Sequence, residues 1–186
     1  MREHARNRCY GQFQISKEFR DDVGCRDWYA IQVRPRCEFY TAKILGNKGF
    51  QYFVPQYKTV RHWSDRRVEI TLPMFPGYIF CKFDSEFRLP ILTTAGVIRI
   101  ICAGTKPAPI DLDEIEAIKQ VVQAGCKTRP HPYLTLGDKV IIHHGPLTGL
   151  KGIVTGYRNR HLILSIGVVQ RSIAVELDDC AILAAS

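Results

Sequence analysis

The apolar positions of this chain change rhythm along its length, and each change predicts an element. Trp28 to Val33 is dense in aromatic and β-branched residues, which predicts a strand broken by Arg34-Pro35-Arg36. Cys37 to Lys48 predicts a helix, with Phe39, Ala42 or Lys43, and Leu45 or Gly46 near helical spacing, closed by Gly49. Tyr52 to Trp63 and Val68 to Leu72 are β-prone and joined by a charged turn, Ser64-Asp65-Arg66-Arg67. Gly77 to Phe83 predicts another strand, Ser85 to Leu92 a short helix, and Val97 to Cys102 a further strand. Asp111 to Val122 is the clearest helix: Asp111 can cap it, Glu114 stands where a capping box places an acid, and Ile115, Ile118, Val121 and Val122 form one apolar face. Ala124 to Tyr133, with Gly125, Pro130 and Pro132, reads as a semi-extended linker. After it come short β runs at 139–143, 152–157, 161–166 and 171–177, a spacing that predicts a small all-β barrel.

Composition narrows the class. With 186 residues, 46% hydrophobic and 24% charged, the chain suits one globular domain or two small ones. The net charge of +8 favours a phosphate backbone or an acidic protein surface as partner. Residues 1–26 are polar, mixed in charge and without sustained period, so they read as a partly disordered extension rather than a secretory signal. No stretch approaches the roughly 18 uninterrupted apolar residues of a membrane span. The seven cysteines form no Cys-x-x-Cys pair, which argues for reduced thiols in a cytoplasm. Cys81 and Cys102 lie in apolar runs, where cysteine is usually a small buried hydrophobe.

Candidate chemistry is sparse. His143 and His144 are adjacent in a β run and point to opposite faces, so they cannot share a metal. His131 and His161 lack ligand-spaced companions, Ser172 has no base at interpretable spacing, and Asp178-Asp179 reads as a solvated strand end. No catalytic residue, metal site or cofactor is expected.

The informative motif is 137–154, Gly137-Asp138-Lys139-Val140 through Gly145-Pro146-Leu147-Thr148-Gly149 to Gly152-Ile153-Val154. Two β-prone runs flank a loop in which proline fixes φ and the glycines open angles closed to other residues. A hairpin alone would account for it. Its spacing, however, resembles the KOW motif of transcription elongation factors and ribosomal proteins. Upstream, Trp28-Tyr29, Phe75-Pro76-Gly77-Tyr78, Gly96-Val97, Pro107-Ala108-Pro109-Ile110 and finally Val175-Glu176-Leu177 stand in the order of the NusG family of transcription elongation factors. The resemblance covers about residues 27 to 184. The turn Trp63 to Arg67 and the stretch Gln170 to Val175 look like the specialised antiterminator paralogues, in the style of RfaH, LoaP and UpxY.

The resemblance implies an α+β fold: a NusG-type N-terminal α/β sandwich, its sheet dominated by antiparallel pairs and flanked by helices, over 27–123. A linker at 124–133 and a KOW β-barrel at 134–184 would follow. It implies a cytoplasmic, nucleoid-associated monomer that binds RNA polymerase, bridges its cleft and suppresses pausing and termination. Phe75, Pro76 and Tyr78, with Tyr29 and Phe80 as neighbours, match the pocket for the tip of the β′ clamp helices. Aromatics suit such an interface, although Phe80 and Trp28 also fit a sheet core. Arg34 and Arg36 match the region that meets the non-template DNA strand, or nascent RNA. Arg61, His62, Arg66 and Arg67 form a second basic group, for DNA or merely solvated. Arg88 falls in the segment that meets the β gate loop, though the family's Thr-rich stretch is replaced by Phe87-Arg88-Leu89-Pro90. Leu147 and Leu150 match the loop positions that take the NusE ribosomal protein or, in the housekeeping member, the termination factor Rho, and Val168 and Val169 are a second candidate group; Leu150 equally suits a barrel core. The Val, Ile and Thr density with Gly145, Gly149, Gly152 and Gly156 predicts a barrel that does not convert to helix. A ribosome-associated RNA-binding protein is the competing class, since KOW modules also bind ribosomal RNA.

Overall fold

The structure is a computed structural model that describes residues 26–63, 66–134, 138–143, 145–155, 161–176 and 183–185. The first half runs β1 (Asp27–Val33), α1 (Glu38–Asn47), β2 (Gln51–Phe53), β3 (Gln56–Trp63), β4 (Arg66–Pro73), β5 (Tyr78–Phe83), α2 (Leu89–Leu92) and β6 (Val97–Ile100). Three two-residue strands follow, β7 (Cys102–Ala103), β8 (Lys106–Pro107) and β9 (Pro109–Ile110), and then α3 (Leu112–Ala124). The second half is all β: β10 (Thr128–Pro132), β11 (Asp138–Ile142), β12 (Lys151–Thr155), β13 (His161–Ile166), β14 (Arg171–Glu176) and β15 (Leu183–Ala185).

The first sheet has the order β2-β5-β1-β6, with β9 also paired to β1, every pair antiparallel. Its strands alternate faces, as period two requires. Trp28, Ala30, Phe53 and Phe80 join Ile115, Ile118 and Val121 of α3 on one side. Tyr29, Ile31, Val33, Ile79, Cys81 and Phe83 face Ala42 and Leu45 of α1 and Ile91 of α2 on the other. Both faces are covered, so β1 and β5 read as continuous apolar runs. Lys119 of α3 closes over Trp28, its Nζ 4.9 Å from the ring centroid.

The second sheet is antiparallel in the order β10-β14-β13-β12-β11-β15. Gly152 in β12 lets Leu162 approach closely: a Cβ there would meet Leu162 Cδ1 at 2.6 Å and the Ile163 carbonyl at 2.9 Å. The core residues of this sheet are continuous with the α3 side of the first.

Several expectations are corrected. The β run from Tyr52 to Trp63 is interrupted at Val54-Pro55, because proline donates no ladder hydrogen bond. The segment 85–92 is a 3-10 turn at Ser85–Phe87 and a four-residue α2 rather than one helix. The expected linker contains β10, which pairs with β14 along Thr128↔Val175 to Pro132↔Arg171. It lies at one end of the sheet order, where Pro130 and Pro132 are tolerated. Arg66 and Arg67 belong to β4 rather than to a turn, and Cys102 is exposed. Cys81 is buried as expected, and burial pushes its thiol up to about 12. In the α1 pattern Phe39 is exposed, and Glu38, Thr41, Ala42 and Leu45 form the buried face.

Candidate functional site

Two turns lie together at the end of β1. In Phe75-Pro76-Gly77-Tyr78 the Tyr78 N–H donates to the Phe75 carbonyl at 3.1 Å, proline holds the second position, and Gly77 has φ of 83°. In Arg34-Pro35-Arg36-Cys37 the Cys37 N–H donates to the Arg34 carbonyl at 3.0 Å, and Arg36 has φ of 68°. Both have the marks of type II turns, which need positive φ at the third residue and favour glycine there. The first turn has glycine. The second has arginine, at a cost of about 1–2 kcal/mol for a side chain in left-handed space.

Hydrogen bonds fix the turns against one another. The Val33 N–H donates to the Gly77 carbonyl at 2.9 Å. The Gly77 N–H donates to Glu38 Oε1 at 2.7 Å, and Glu38 is only 3% exposed. A third turn joins them: the Arg34 N–H donates to the Gly96 carbonyl at 2.8 Å, and Thr41 Oγ1 donates to the Ala95 carbonyl at 3.2 Å.

The expected docking residues divide by burial. Phe75 is 1% exposed and packs edge-on against Phe80, centroids 5.4 Å apart. Phe80 is fully buried, and Tyr29 is buried against Phe83 on the opposite sheet face. These three are core, which corrects the expectation that Phe75 presents itself to a partner: the adjoining proline-glycine turn lifts Pro76 and Tyr78 outward instead. Pro76 is exposed and Tyr78 half-buried.

Arg34 and Arg36 are exposed beside them. Sequence reasoning passed over their neighbours on α1. Phe39, Tyr40 and Lys43 are all exposed, and with Arg36 they make an aromatic and cationic face. The signal was present in the spacing, since these positions recur at helical intervals opposite Ala42 and Leu45.

The second basic group lies on a two-stranded ribbon, β3 with β4, in the register Gln56↔Pro73 to Trp63↔Arg66. His62 stands directly opposite Arg67 on one face. Arg61 pairs with Val68, which puts Arg61 and Arg66 on the other face. All four are exposed, so they form two pairs rather than one cluster. Arg88 is exposed at the start of α2 between two exposed apolar residues, Phe87 and Leu89.

The loop of the 137–154 motif is closed by its own backbone. The Gly149 N–H donates to the Ile142 carbonyl at 2.8 Å and the Leu150 N–H to the Leu147 carbonyl at 3.1 Å. Leu147 and Leu150 are 4% and 5% exposed, Val169 is buried and Val168 half-buried. The loop is held by α3: Gln120 Nε2 donates to the carbonyls of Pro146 at 3.1 Å and Thr148 at 3.2 Å. The 167–169 turn is held there as well, since the Gly167 N–H donates to Glu114 Oε1 at 3.1 Å. Asp111 caps α3 through the Asp113 N–H at 3.0 Å. Glu114 therefore joins the two halves of the chain rather than completing the expected capping box. Burial, then the nearby Asp111 charge, raises the Glu114 carboxyl above the usual carboxylate range, and the Gly167 bond works the other way.

Among the described residues, no group of three or more His, Cys, Asp or Glu is placed to hold a metal, and no helix is long and apolar enough to cross a membrane. What the fold presents is turns, a ribbon and a helix face rich in cations and aromatics, the equipment of a protein that works by docking. Comparison with known proteins gives that class its family. Residues 26–119 match the family described as transcription termination factor nusG. The transcription termination/antitermination protein NusG of Thermus thermophilus is 27% identical over 147 residues, covering 72% of this chain and 80% of that one. The NusG protein of Xylella fastidiosa is 25% identical over 176 residues, covering 81% and 95%. A solved structure described as "Domain interaction in Thermotoga maritima NusG" aligns with a TM-score of 0.48 at 18% identity, covering 81% of this chain and 92% of that one. The chain belongs to the NusG family of transcription termination/antitermination proteins.

Proposed function

We propose that this protein is an antiterminator that rides on transcribing RNA polymerase. The Phe75–Tyr78 turn meets the β′ clamp helices through Pro76 and Tyr78, over a floor formed by Phe75 and Phe80. Arg34, Arg36 and the α1 face run along the exposed non-template strand, where cations neutralise phosphate and aromatics stack on bases. Arg61, His62, Arg66 and Arg67 extend this reach along the ribbon, and Arg88 approaches the β gate loop. Docking on both sides of the cleft favours the closed clamp only by the difference in affinity between closed and open states. The C-terminal sheet serves as a KOW module that takes the NusE ribosomal protein, or Rho, at Leu147, Leu150, Val168 and Val169. Those segments lie against α3 here, so such a partner competes with α3.

The observation that carries this proposal is the pair of turns at one end of the first sheet, which places exposed Pro76 and half-buried Tyr78 beside exposed Arg34 and Arg36. The test is retention on reconstituted bacterial elongation complexes. Tyr78→Ala is expected to lose retention while the chain stays folded, its melting temperature only modestly lowered because the ring is half-buried. Retention at the wild-type level, or co-sedimentation with ribosomal subunits after polymerase has been removed, would overturn it.

A further inference from the structure

Glu38 is a carboxylate buried at the first turn of α1, and docking does not account for it. Neither its burial nor its partner is that of an ordinary helix-surface acid. At 3% exposure it is shielded from any macromolecule, and its Oε1 lies 2.7 Å from the Gly77 nitrogen. A hydrogen bond to a charged acceptor is roughly twice as strong as a neutral one, and leaving a shielded N–H without a partner is costly. Gly77 is thus held from both sides: its carbonyl accepts from the Val33 N–H and its own N–H is taken by Glu38. The residue two positions before Glu38 is Arg36, at the strained position of the other turn. One side chain, rooted by its backbone just after the cationic turn, therefore reaches the Phe75–Tyr78 turn.

We propose that Glu38 is a positioning residue that yokes these two turns, so that the nucleic-acid surface and the polymerase-docking surface move as one body. The inference rests on the proposed function for its consequence, but not for its mechanism. With the yoke intact, contact of Arg34 and Arg36 with a phosphate backbone orients Pro76 and Tyr78 for the protein partner. Without it, each surface keeps its own chemistry and the Val33–Gly77 bond remains, but Gly77 is held from one side only and the mutual geometry of the pair loosens. Two ligands on one assembly then bind without the shared orientation that raises effective concentration.

The experiment uses the full chain with Glu38→Asp, which keeps the charge but shortens the reach, and Glu38→Gln, whose carbonyl can still accept the Gly77 N–H. Amide exchange at Gly77 is expected to rise at least about tenfold in Glu38→Asp and by a smaller factor in Glu38→Gln, whose neutral acceptor makes a weaker bond, with Ile31 and Phe80 unchanged. Affinity for a reconstituted elongation complex is expected to fall about tenfold in Glu38→Asp alone, whereas affinity for a single-stranded DNA oligonucleotide stays the same in all three proteins. Unchanged Gly77 exchange in Glu38→Asp, or equal losses in both variants, would overturn the yoke. A parallel loss of both affinities would also overturn it, since that is the signature of general destabilisation. Tyr78→Ala measured alongside separates the two ideas: if it binds the elongation complex like wild type, the docking proposal fails, and Gly77 exchange still decides the role of Glu38.

Discussion

Arg36→Gly should make this protein more stable and worse at binding. Arg36 has φ of 68° at the third position of its turn, where a Cβ crowds the following carbonyl. Glycine removes about 1–2 kcal/mol of that strain, but its freer unfolded chain returns about 0.4–1 kcal/mol. The net gain is between about 0 and 1.6 kcal/mol, a rise in melting temperature of up to about 6 °C for a chain of this size. The side chain is exposed and no ion pair to it is present among the described residues, so no stabilising contact is lost to offset the gain. If Arg36 is tolerated in that conformation because it grips a phosphate, the same substitution removes one counterion-releasing contact. The slope of log affinity against log salt for single-stranded DNA should then become shallower by about 0.7. Differential scanning calorimetry and a fluorescence-anisotropy salt series supply the two numbers. A lower melting temperature would refute the strain argument. A stabilised variant with an unchanged salt slope would refute the assignment of Arg36 to nucleic acid.

Three further outcomes follow from packing and charge. Phe75→Ala empties a fully packed aromatic site and should cost about 3–5 kcal/mol of stability in chemical denaturation, so its binding defect will track unfolding while that of Tyr78→Ala will not. Gly152→Ala drives a methyl group into the Ile163 carbonyl, a backbone atom that cannot rotate away, and should destabilise the C-terminal sheet by about 1–3 kcal/mol; a neutral effect in urea melts would contradict the close approach of β12 and β13. Because Glu114 has a raised carboxyl pKa, the packed arrangement binds protons more readily than one with Glu114 in water. The cost of burying its charge is present at neutral pH and disappears as pH falls through the acid range, so the contact should tighten on acidification, with the Asp111 charge adding to the effect; Glu114→Gln should abolish that dependence at the Gly167 amide while keeping the acceptor.

How much of this was legible beforehand depended on whether a residue's role was local. β1, β5 and α3 could be found because periodicity, an N-cap at Asp111 and a left-handed Gly125 at the C-terminus are all written within a few residues. β10 was hidden because Pro130 and Pro132 carry the signature of a linker, and only the position at the end of the sheet order makes them acceptable in a strand. The Phe75–Tyr78 segment was marked by its motif, but its division into a buried Phe75 and an outward-facing Tyr78 was not, since the two are alike in composition and differ only in which side of a turn they leave. Glu38 and Glu114 were out of reach for a different reason. An acid in the first turn of a helix already has a sufficient local explanation in capping and the helix dipole. Their actual partners, Gly77 and Gly167, are 39 and 53 residues away.

The contact between α3 and the C-terminal sheet sets a limit on any partner of the 145–150 loop. Gln120 donates two hydrogen bonds to that loop, to Pro146 and Thr148. At about 1 kcal/mol each, Gln120→Ala should weaken the packed arrangement by about 2 kcal/mol, which is roughly 30-fold in its equilibrium constant. A partner that needs the loop free sees its affinity reduced by the fraction of molecules in which the loop is free, so the same substitution should raise its apparent affinity by up to that factor. Backbone 15N relaxation tests the premise without any partner. In the wild-type chain the β1–β6 sheet and the β10–β15 sheet should tumble with one correlation time, and in Gln120→Ala they should begin to separate. A single correlation time in both proteins would mean that the apolar contact, not Gln120, holds the two sheets together. Separate times already in the wild type would mean that the loop is free for a partner without any displacement of α3.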